Sequence, residues 1–137
     1  MKTHTTNYIN TFIEISEDCP VDKAQIPPEK KEKTTAQLQF EKIIENPYQY
    51  TSDDILFEWY CIKNAIPEQK KGETRETFFS KGQPCLRSSP LAKRYGFGIH
   101  HNEKGKIAIY PVESIEYQNF IKDNSIQKVK AMRSKRM

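Results

Sequence analysis

The stretch that decides the fold is YGFGIHHNEKGKIAIYPV, residues 95–112. Within each of its two halves, 95–101 and 106–112, apolar residues alternate with other residues along the chain. The four residues NEKG lie between the halves. Alternation with a period of two is typical of half-buried strands, and a short loop that ends in glycine is typical of a hairpin. The stretch therefore predicts an antiparallel hairpin whose core-facing side chains are Phe97, Ile99, Ile107 and Ile109.

Residues outside the hairpin add one strand and four helices to the prediction, while residues 84–88 are a short strand or an extended segment and the tail from Ser125 is a helix or a strand. Residues 8–16 alternate as a buried strand does, and the prolines and charges of residues 17–33 predict a surface connection. Start and stop residues and apolar spacing predict helices from Thr34 to Pro47, from Thr51 or Ser52 to Ile66, from Pro67 to Gly82, and after Ser114. The pattern indicates an α+β domain with a small, mostly antiparallel sheet and helices packed on one face.

Length and composition narrow the class of protein. A chain of 137 residues is expected to form one domain. It has no apolar run of the ~18 residues that a membrane span needs, and its first residues do not read as a secretory signal. The three cysteines include no CxxC pair, which favours free thiols in a reducing compartment. We therefore expect a cytoplasmic protein.

The positive charge is concentrated towards the end of the chain. Residues 1–76 carry 10 basic and 14 acidic side chains, whereas residues 77–137 carry 12 and 4. We predict a folded domain over residues 1–124 and a basic C-terminal tail over residues 125–137. Such a tail can meet phosphates or an acidic partner, or it can be a solvated terminus that aids solubility.

Several blocks of the sequence resemble one known family. The blocks are NPYQYTSDDILF, FFSKGQPCLRSSPLAKRYGFGIHHNEKGKIAIY and VKAMRSKR, together with the first twenty residues. They are similar to a family of small bacterial proteins classed as a domain of unknown function, and the resemblance covers nearly the whole chain. It implies a cytoplasmic bacterial protein without an assigned activity, so no catalytic residue can be carried over from it.

One face of the first hairpin strand predicts a binding site. Gly96 and Gly98 alternate there, and a strand glycine often marks the close approach of a ligand or another backbone. Small residues would leave a shallow floor with His100 and Tyr110 as polar walls. The preceding segment adds hydroxyls and cations, which suit phosphate or carboxylate, so the predicted anion-binding residues are Arg87, Ser88, Ser89, Lys93, Arg94, His100 and Tyr110.

The same glycines have a structural interpretation. They can make room for a bulky neighbour such as Trp59 or Tyr95, while Arg87 pairs with an acidic side chain of the N-terminal half. Neither a GxxxxGK[ST] nor a GxGxxG phosphate loop occurs in the sequence. Nucleic acid is a further version of the anion hypothesis, although the acidic first half argues against a wholly basic binding surface.

Cys85 is the candidate reactive thiol. A nucleophilic cysteine needs positive charge or a base nearby, which the neighbouring basic residues and His100 or His101 could supply. The Cys-x5-Arg pattern of phosphatases is absent because Leu91 stands at that position. The alternative is a buried cysteine without reactivity, since free cysteine is among the most buried residue types.

Adjacent histidines on a strand point to opposite faces, so His100 and His101 cannot both bind one metal ion from a regular strand. We therefore predict no metal site and no cofactor. Three functions remain as hypotheses. The first is a non-enzymatic binding module that recognises an anionic partner, either a phosphate-bearing ligand or nucleic acid. The others are a thiol or acid/base enzyme centred on Cys85 and His100, and a protein-interaction module that uses the basic tail.

Overall fold

The computed structural model describes residues 3–134 of the chain. Short 3-10 turns occur at Glu68–Lys70 and Leu86–Ser88. The strands are β1 (Thr11–Glu14), β2 (Phe97–His101), β3 (Ile107–Pro111) and β4 (Gln127–Lys130). The helices are α1 (Thr35–Glu45), α2 (Ser52–Lys63), α3 (Lys71–Phe78), α4 (Pro90–Lys93) and α5 (Ile115–Lys122).

The four strands form one mixed sheet in the order β3-β2-β1-β4. The predicted hairpin is confirmed, since β2 and β3 are antiparallel neighbours with His100 opposite Ala108. β1 pairs antiparallel with β2 and parallel with β4. The prediction of an α+β fold with a mostly antiparallel sheet is therefore confirmed.

Part of the segment that we assigned to the basic tail belongs to the sheet. Residues 127–130 form β4, whose Val129 lies beside Ile13 of β1. Ala131, directly after the strand, is only 4% exposed and belongs to the apolar core. These two apolar residues join the end of the chain to the fold, and residues 135–137 lie outside the described part.

Helices cover both faces of the sheet. The first face carries Ile13, Ile99 and Ile109 and forms the main core with side chains of α1, α2 and α4. On the second face, Phe12 of β1 stacks on Phe120 of α5 with ring centroids 4.9 Å apart. The expectation of helices on one face thus describes α1, α2 and α4, whereas α5 packs on the opposite face.

Three predicted helix starts are confirmed by their capping hydrogen bonds. The hydroxyl of Thr34 accepts from the amide three residues later at 3.2 Å, and Thr51 and Ser114 cap α2 and α5 in the same way. At α2 the cap is reciprocal because the carboxylate of Asp54 accepts from the Thr51 amide. α3 is shorter than predicted, since residues 68–70 form a 3-10 turn before it.

The first residues of the chain are held to the start of α2 by Asp53. The amide and the hydroxyl of Thr6 donate to its Oδ1 at 2.7 and 2.6 Å, and the Thr5 hydroxyl donates to its Oδ2 at 2.7 Å. In return, the Asp53 amide donates to the side chain of Asn7 at 2.9 Å. These bonds fix the position of the next residue, Tyr8, which contacts the site described below.

We expect Gly98→Ala to lower the free energy of unfolding by about 1–3 kcal/mol. A Cβ at Gly98 would lie 2.3 Å from Cζ of Phe12 and 2.6 Å from Cε2 of Tyr117, and both rings are packed between β2 and α5. Urea unfolding followed by circular dichroism measures the change.

Gly72→Ala in α3 is the matched control. A Cβ at Gly72 has no atom within 4 Å, so we expect this substitution to raise the stability by about 0.5–1 kcal/mol, the usual gain when alanine replaces a helical glycine. Equal stabilities of the Gly98→Ala variant and the wild type would contradict the packing of α5 on β2.

Candidate ligand-binding site

Aromatic and backbone groups fill the face that we predicted as the floor of an anion site. Gly98 makes room for the rings of Phe12 and Tyr117, which would collide with any larger side chain. Gly96 has a φ of 82°, in the left-handed region that favours glycine, and lies against the backbone of Ala24. The two glycines thus serve close packing within the chain, against other neighbours than Trp59 and Tyr95, which the structural interpretation named as examples.

His100 and Tyr110 lie on this second face and are joined by Tyr48. The Tyr48 hydroxyl is 2.8 Å from Nδ1 of His100 and 2.8 Å from the Tyr110 hydroxyl, and the His100 ring stacks on Phe120. Burial lowers the pKa of His100. Tyr48 has a φ of 59°, which is uncommon for a large side chain, and its amide donates to Ile107 at the edge of β3. Sequence reasoning missed Tyr48.

The basic members of the predicted set have separate surroundings. Arg87 holds the end of the sheet, because its Nε donates to the carbonyl of Lys130 at 2.7 Å and its carbonyl accepts from Met132. The side chains of Lys93 and Arg94, at the end of α4, have no hydrogen bond or ion pair with any residue of the described range. The predicted set is therefore dispersed, and a shared anion-binding role remains a prediction.

Two predicted residues, Ser88 and Ser89, line a cavity of about 240 Å³ together with Cys85. The cavity lies between α1, α2 and residues 83–90. Its α2 wall has helical spacing and consists of Leu56, Trp59, Tyr60 and Lys63. Mostly apolar walls with a few convergent polar groups are typical of small-molecule sites.

Gln39 of α1 supplies a hydrogen-bond donor to this cavity. Its side chain is 2% exposed, and its Oε1 accepts from the Ser89 hydroxyl at 2.6 Å. Ser89 Oγ in turn accepts from the Leu91 amide, which fixes the hydroxyl as the donor to Gln39. Among residues 3–134, none accepts a hydrogen bond from the Gln39 Nε2. Sequence reasoning missed Gln39, whose signal was a polar residue at a buried position of an amphipathic helix.

Cys85 is half-buried and has a tyrosine as its polar neighbour. Its Sγ lies 3.3 Å from the hydroxyl of Tyr8. Burial, and then the contact with Cys85, raises the pKa of Tyr8 to about 12, so Tyr8 keeps its proton at neutral pH. His100, which we considered as the base, lies on the other face of the sheet and bonds to Tyr48. The structure therefore does not bring Cys85 and His100 together.

His101 ends the core-facing side of β2, with its ring edge against Tyr8 at a centroid distance of 5.3 Å. It is fully buried, and neither ring nitrogen has a hydrogen-bond partner among the described residues. Burial lowers its pKa to about 4, which keeps the imidazole neutral at pH 7. His101 is therefore an uncharged core residue under physiological conditions.

Comparison with known proteins identifies a family. The model of a family of unknown function (DUF6157) matches residues 3–137. The chain belongs to this family. The resemblance to a family of unknown function is thereby confirmed, and no curated protein or solved structure matches the chain.

Two features are absent from the described residues. No helix within residues 3–134 is long and apolar enough to cross a membrane. In the same range, no group of three or more histidine, cysteine or acidic side chains is arranged to hold a metal ion.

When the pH falls from 7 to 4.5, we expect the buried His101 to lower the free energy of unfolding by about 2 kcal/mol. Its folded pKa of about 4 lies below the ordinary value of 6.5, so the unfolded chain binds a proton first as the pH falls. The contribution of the neutral His101 to the free energy of unfolding is therefore fully present above pH 6.5 and is lost as the pH falls towards 4. Urea unfolding at the two pH values measures this loss.

The His101→Phe variant isolates this effect, because phenylalanine keeps a ring against Tyr8 and cannot titrate. The wild type should lose about 2 kcal/mol more than the variant over the same pH interval, while the carboxylates and His100 contribute equally to both. Equal losses in the two proteins would show that His101 titrates at its ordinary pKa when folded.

Proposed function

We propose that the protein is a non-enzymatic binding module that takes up a small, flat organic ligand bearing a carboxylate or a phosphate. The observation that carries this proposal is the cavity between α1 and α2, where the largely buried side chain of Gln39 keeps an accessible amide donor without a partner in the described range. We further propose that it acts in the cytoplasm of a bacterium. Its three free cysteines favour such a reducing compartment.

The walls of the cavity suit the apolar part of the ligand. Trp59, Tyr60 and Phe78 line it from α2 and the end of α3. Aromatic side chains bind flat rings in offset-stacked or edge-on arrangements, and the apolar area removed from water adds roughly 25 cal/mol per Å². A cavity of about 240 Å³ restricts this part of the ligand to a small ring system.

Two polar side chains suit the anionic part. The Gln39 amide can donate to an oxygen of the ligand, and a hydrogen bond to a charged group contributes about 1.5–3 kcal/mol. Lys63, at the end of α2, also lines the cavity and forms no ion pair within residues 3–134. Because Lys63 is exposed, its attraction for an anion should weaken as salt is added.

The surroundings of Cys85 favour binding over thiol catalysis. A catalytic thiol needs a base within hydrogen-bond reach. Within residues 3–134, the polar side chain in reach of Cys85 is the Tyr8 hydroxyl, which cannot accept the thiol proton at neutral pH because its pKa of about 12 keeps it protonated.

The structure of the C-terminal segment also favours the cavity over the tail as the binding site. Lys130 and Arg133 both form ion pairs with Glu17. Two of the cations that we assigned to a partner-binding tail are thus matched within the chain.

We expect phenylacetate to change the emission of Trp59, the only tryptophan of the chain, in a saturable manner. Its dissociation constant should be about tenfold lower than that of the neutral 2-phenylethanol, because only the acid engages Lys63 and Gln39 as an anion. Lys63→Gln and Gln39→Leu should each weaken phenylacetate binding several-fold.

Matched controls are available on α5, on the other face of the sheet. Gln118 and Lys122 are both exposed there, so Gln118→Leu and Lys122→Gln should leave the titration unchanged. The proposal is wrong if phenylacetate produces no saturable change at millimolar concentrations, or if the α5 variants weaken binding as much as the cavity variants do.

A further inference from the structure

The cavity that we propose as the ligand site also contains a nucleophile, and the following inference rests on that proposed function. Cys85 lines the cavity together with Gln39, whose Nε2 donates to no described residue. The aromatic rings of Trp59, Tyr60 and Phe78 line the same space. The cavity thus brings together a thiol, a hydrogen-bond donor and walls that suit a flat molecule.

We propose that Cys85 forms a covalent adduct with α,β-unsaturated carbonyl compounds that enter this cavity. Cys85 Sγ forms a bond to the β-carbon, and the electron pair of the carbon–carbon double bond moves towards the carbonyl as an enolate. The thiol proton passes to solvent water before the attack, and the α-carbon of the enolate then takes up a proton from water, so that S and H have added across the double bond. No atom leaves and nothing is oxidised or reduced, so the addition needs no further reactant.

Gln39 gives this chemistry its selectivity. The side chain is fixed by the bond from Ser89 to its Oε1, and its Nε2 has no acceptor among the described residues. A carbonyl oxygen is an acceptor, and it becomes a stronger one when negative charge develops on it in the enolate. A donor that binds more strongly to the enolate than to the starting carbonyl accelerates the addition.

Tyr8 is a positioning residue for the thiol. Its hydroxyl lies 3.3 Å from Sγ and stays protonated at neutral pH, so it can donate to the thiolate that attacks. Hydrogen bonds to a charged form favour that form. The bonds of Thr5 and Thr6 to Asp53 hold the preceding chain in place, which sets the position of Tyr8.

The chain contains its own reference thiols. Cys19 is half-buried, as Cys85 is, but does not line the cavity, and Cys61 is 4% exposed in α2. The partition of a limiting reagent between Cys85 and Cys19 therefore compares two half-buried thiols in one molecule. This ratio is independent of protein concentration and of the absolute rate of the reagent.

The test uses the native full chain at pH 7 with one tenth of an equivalent of N-phenylmaleimide, followed by acid quenching and peptide mass spectrometry. We expect Cys85 to take up about ten times more label than Cys19, equivalent to a 1.4 kcal/mol difference in barrier. Gln39→Met should reduce this ratio several-fold. Tyr8→Phe should reduce it as well.

Iodomethane, which has neither a carbonyl group nor a ring, separates the two roles. Gln39→Met should leave the iodomethane ratio unchanged, whereas Tyr8→Phe should lower it, because Tyr8 acts on the thiol and Gln39 on the carbonyl. Circular dichroism of both variants shows whether they are folded. In the wild type, saturating phenylacetate should protect Cys85 and leave Cys19 unprotected, which is a readout that needs no variant.

A ratio near one for N-phenylmaleimide in the wild type would overturn the inference, and so would a ratio that Gln39→Met leaves unchanged. If phenylacetate still shifts the Trp59 emission in that case, the proposed binding function stands and only the covalent step is wrong. Selective labelling of Cys85 that depends on Gln39, without any response to phenylacetate, would support the covalent step and overturn the anionic ligand.

Discussion

The carboxylate of Asp53 joins the start of the chain to the start of α2, and the candidate site depends on this contact. A buried carboxylate is costly unless hydrogen bonds compensate it, and here Thr5 and Thr6 supply three. The bonds hold residues 5–7 against α2, the helix that also carries the cavity wall. They also fix Tyr8, which reaches Cys85 on one side and packs on His101 on the other. Removal of the carboxylate would therefore affect both the cavity and the sheet.

Strand β2 contributes side chains to both faces of the sheet. Its residues alternate between the main core, where Ile99 is fully buried, and the second face, where Gly98 admits the rings of Phe12 and Tyr117. His100 and His101 divide in the same way, the first towards Phe120 and the second towards Tyr8. A one-residue shift in register would exchange these surroundings and place a glycine in the core. The pairing with β1 and β3 on both sides prevents such a shift.

The sequence predicted the features that depend on residues close to one another along the chain. The hairpin and the caps of α1, α2 and α5 follow from residues a few positions apart, and all were predicted. For strand β4 the sequence left helix and strand open, because its four residues pair in parallel with β1 more than 100 positions away. The cavity escaped prediction for the same reason, since Gln39, Trp59 and Cys85 come from three distant segments. Only Cys85, Ser88 and Ser89 were recognised, because they lie in the one segment whose composition drew attention.

The charge of the cavity limits the ligand that it can hold. Among residues 3–134, Lys63 is the only basic or acidic side chain that lines it, and the other polar groups are hydroxyls, a thiol, amides and the indole N–H of Trp59. One exposed ammonium group and one amide donor can match a single carboxylate or phosphate group. A polyanion such as nucleic acid gains its affinity from many phosphate contacts at once, which requires a row of cations. Arg87, Lys93 and Arg94 do not line this cavity, and Arg87 bonds to the backbone of β4. The cavity therefore favours a small ligand with one anionic group over a phosphate chain.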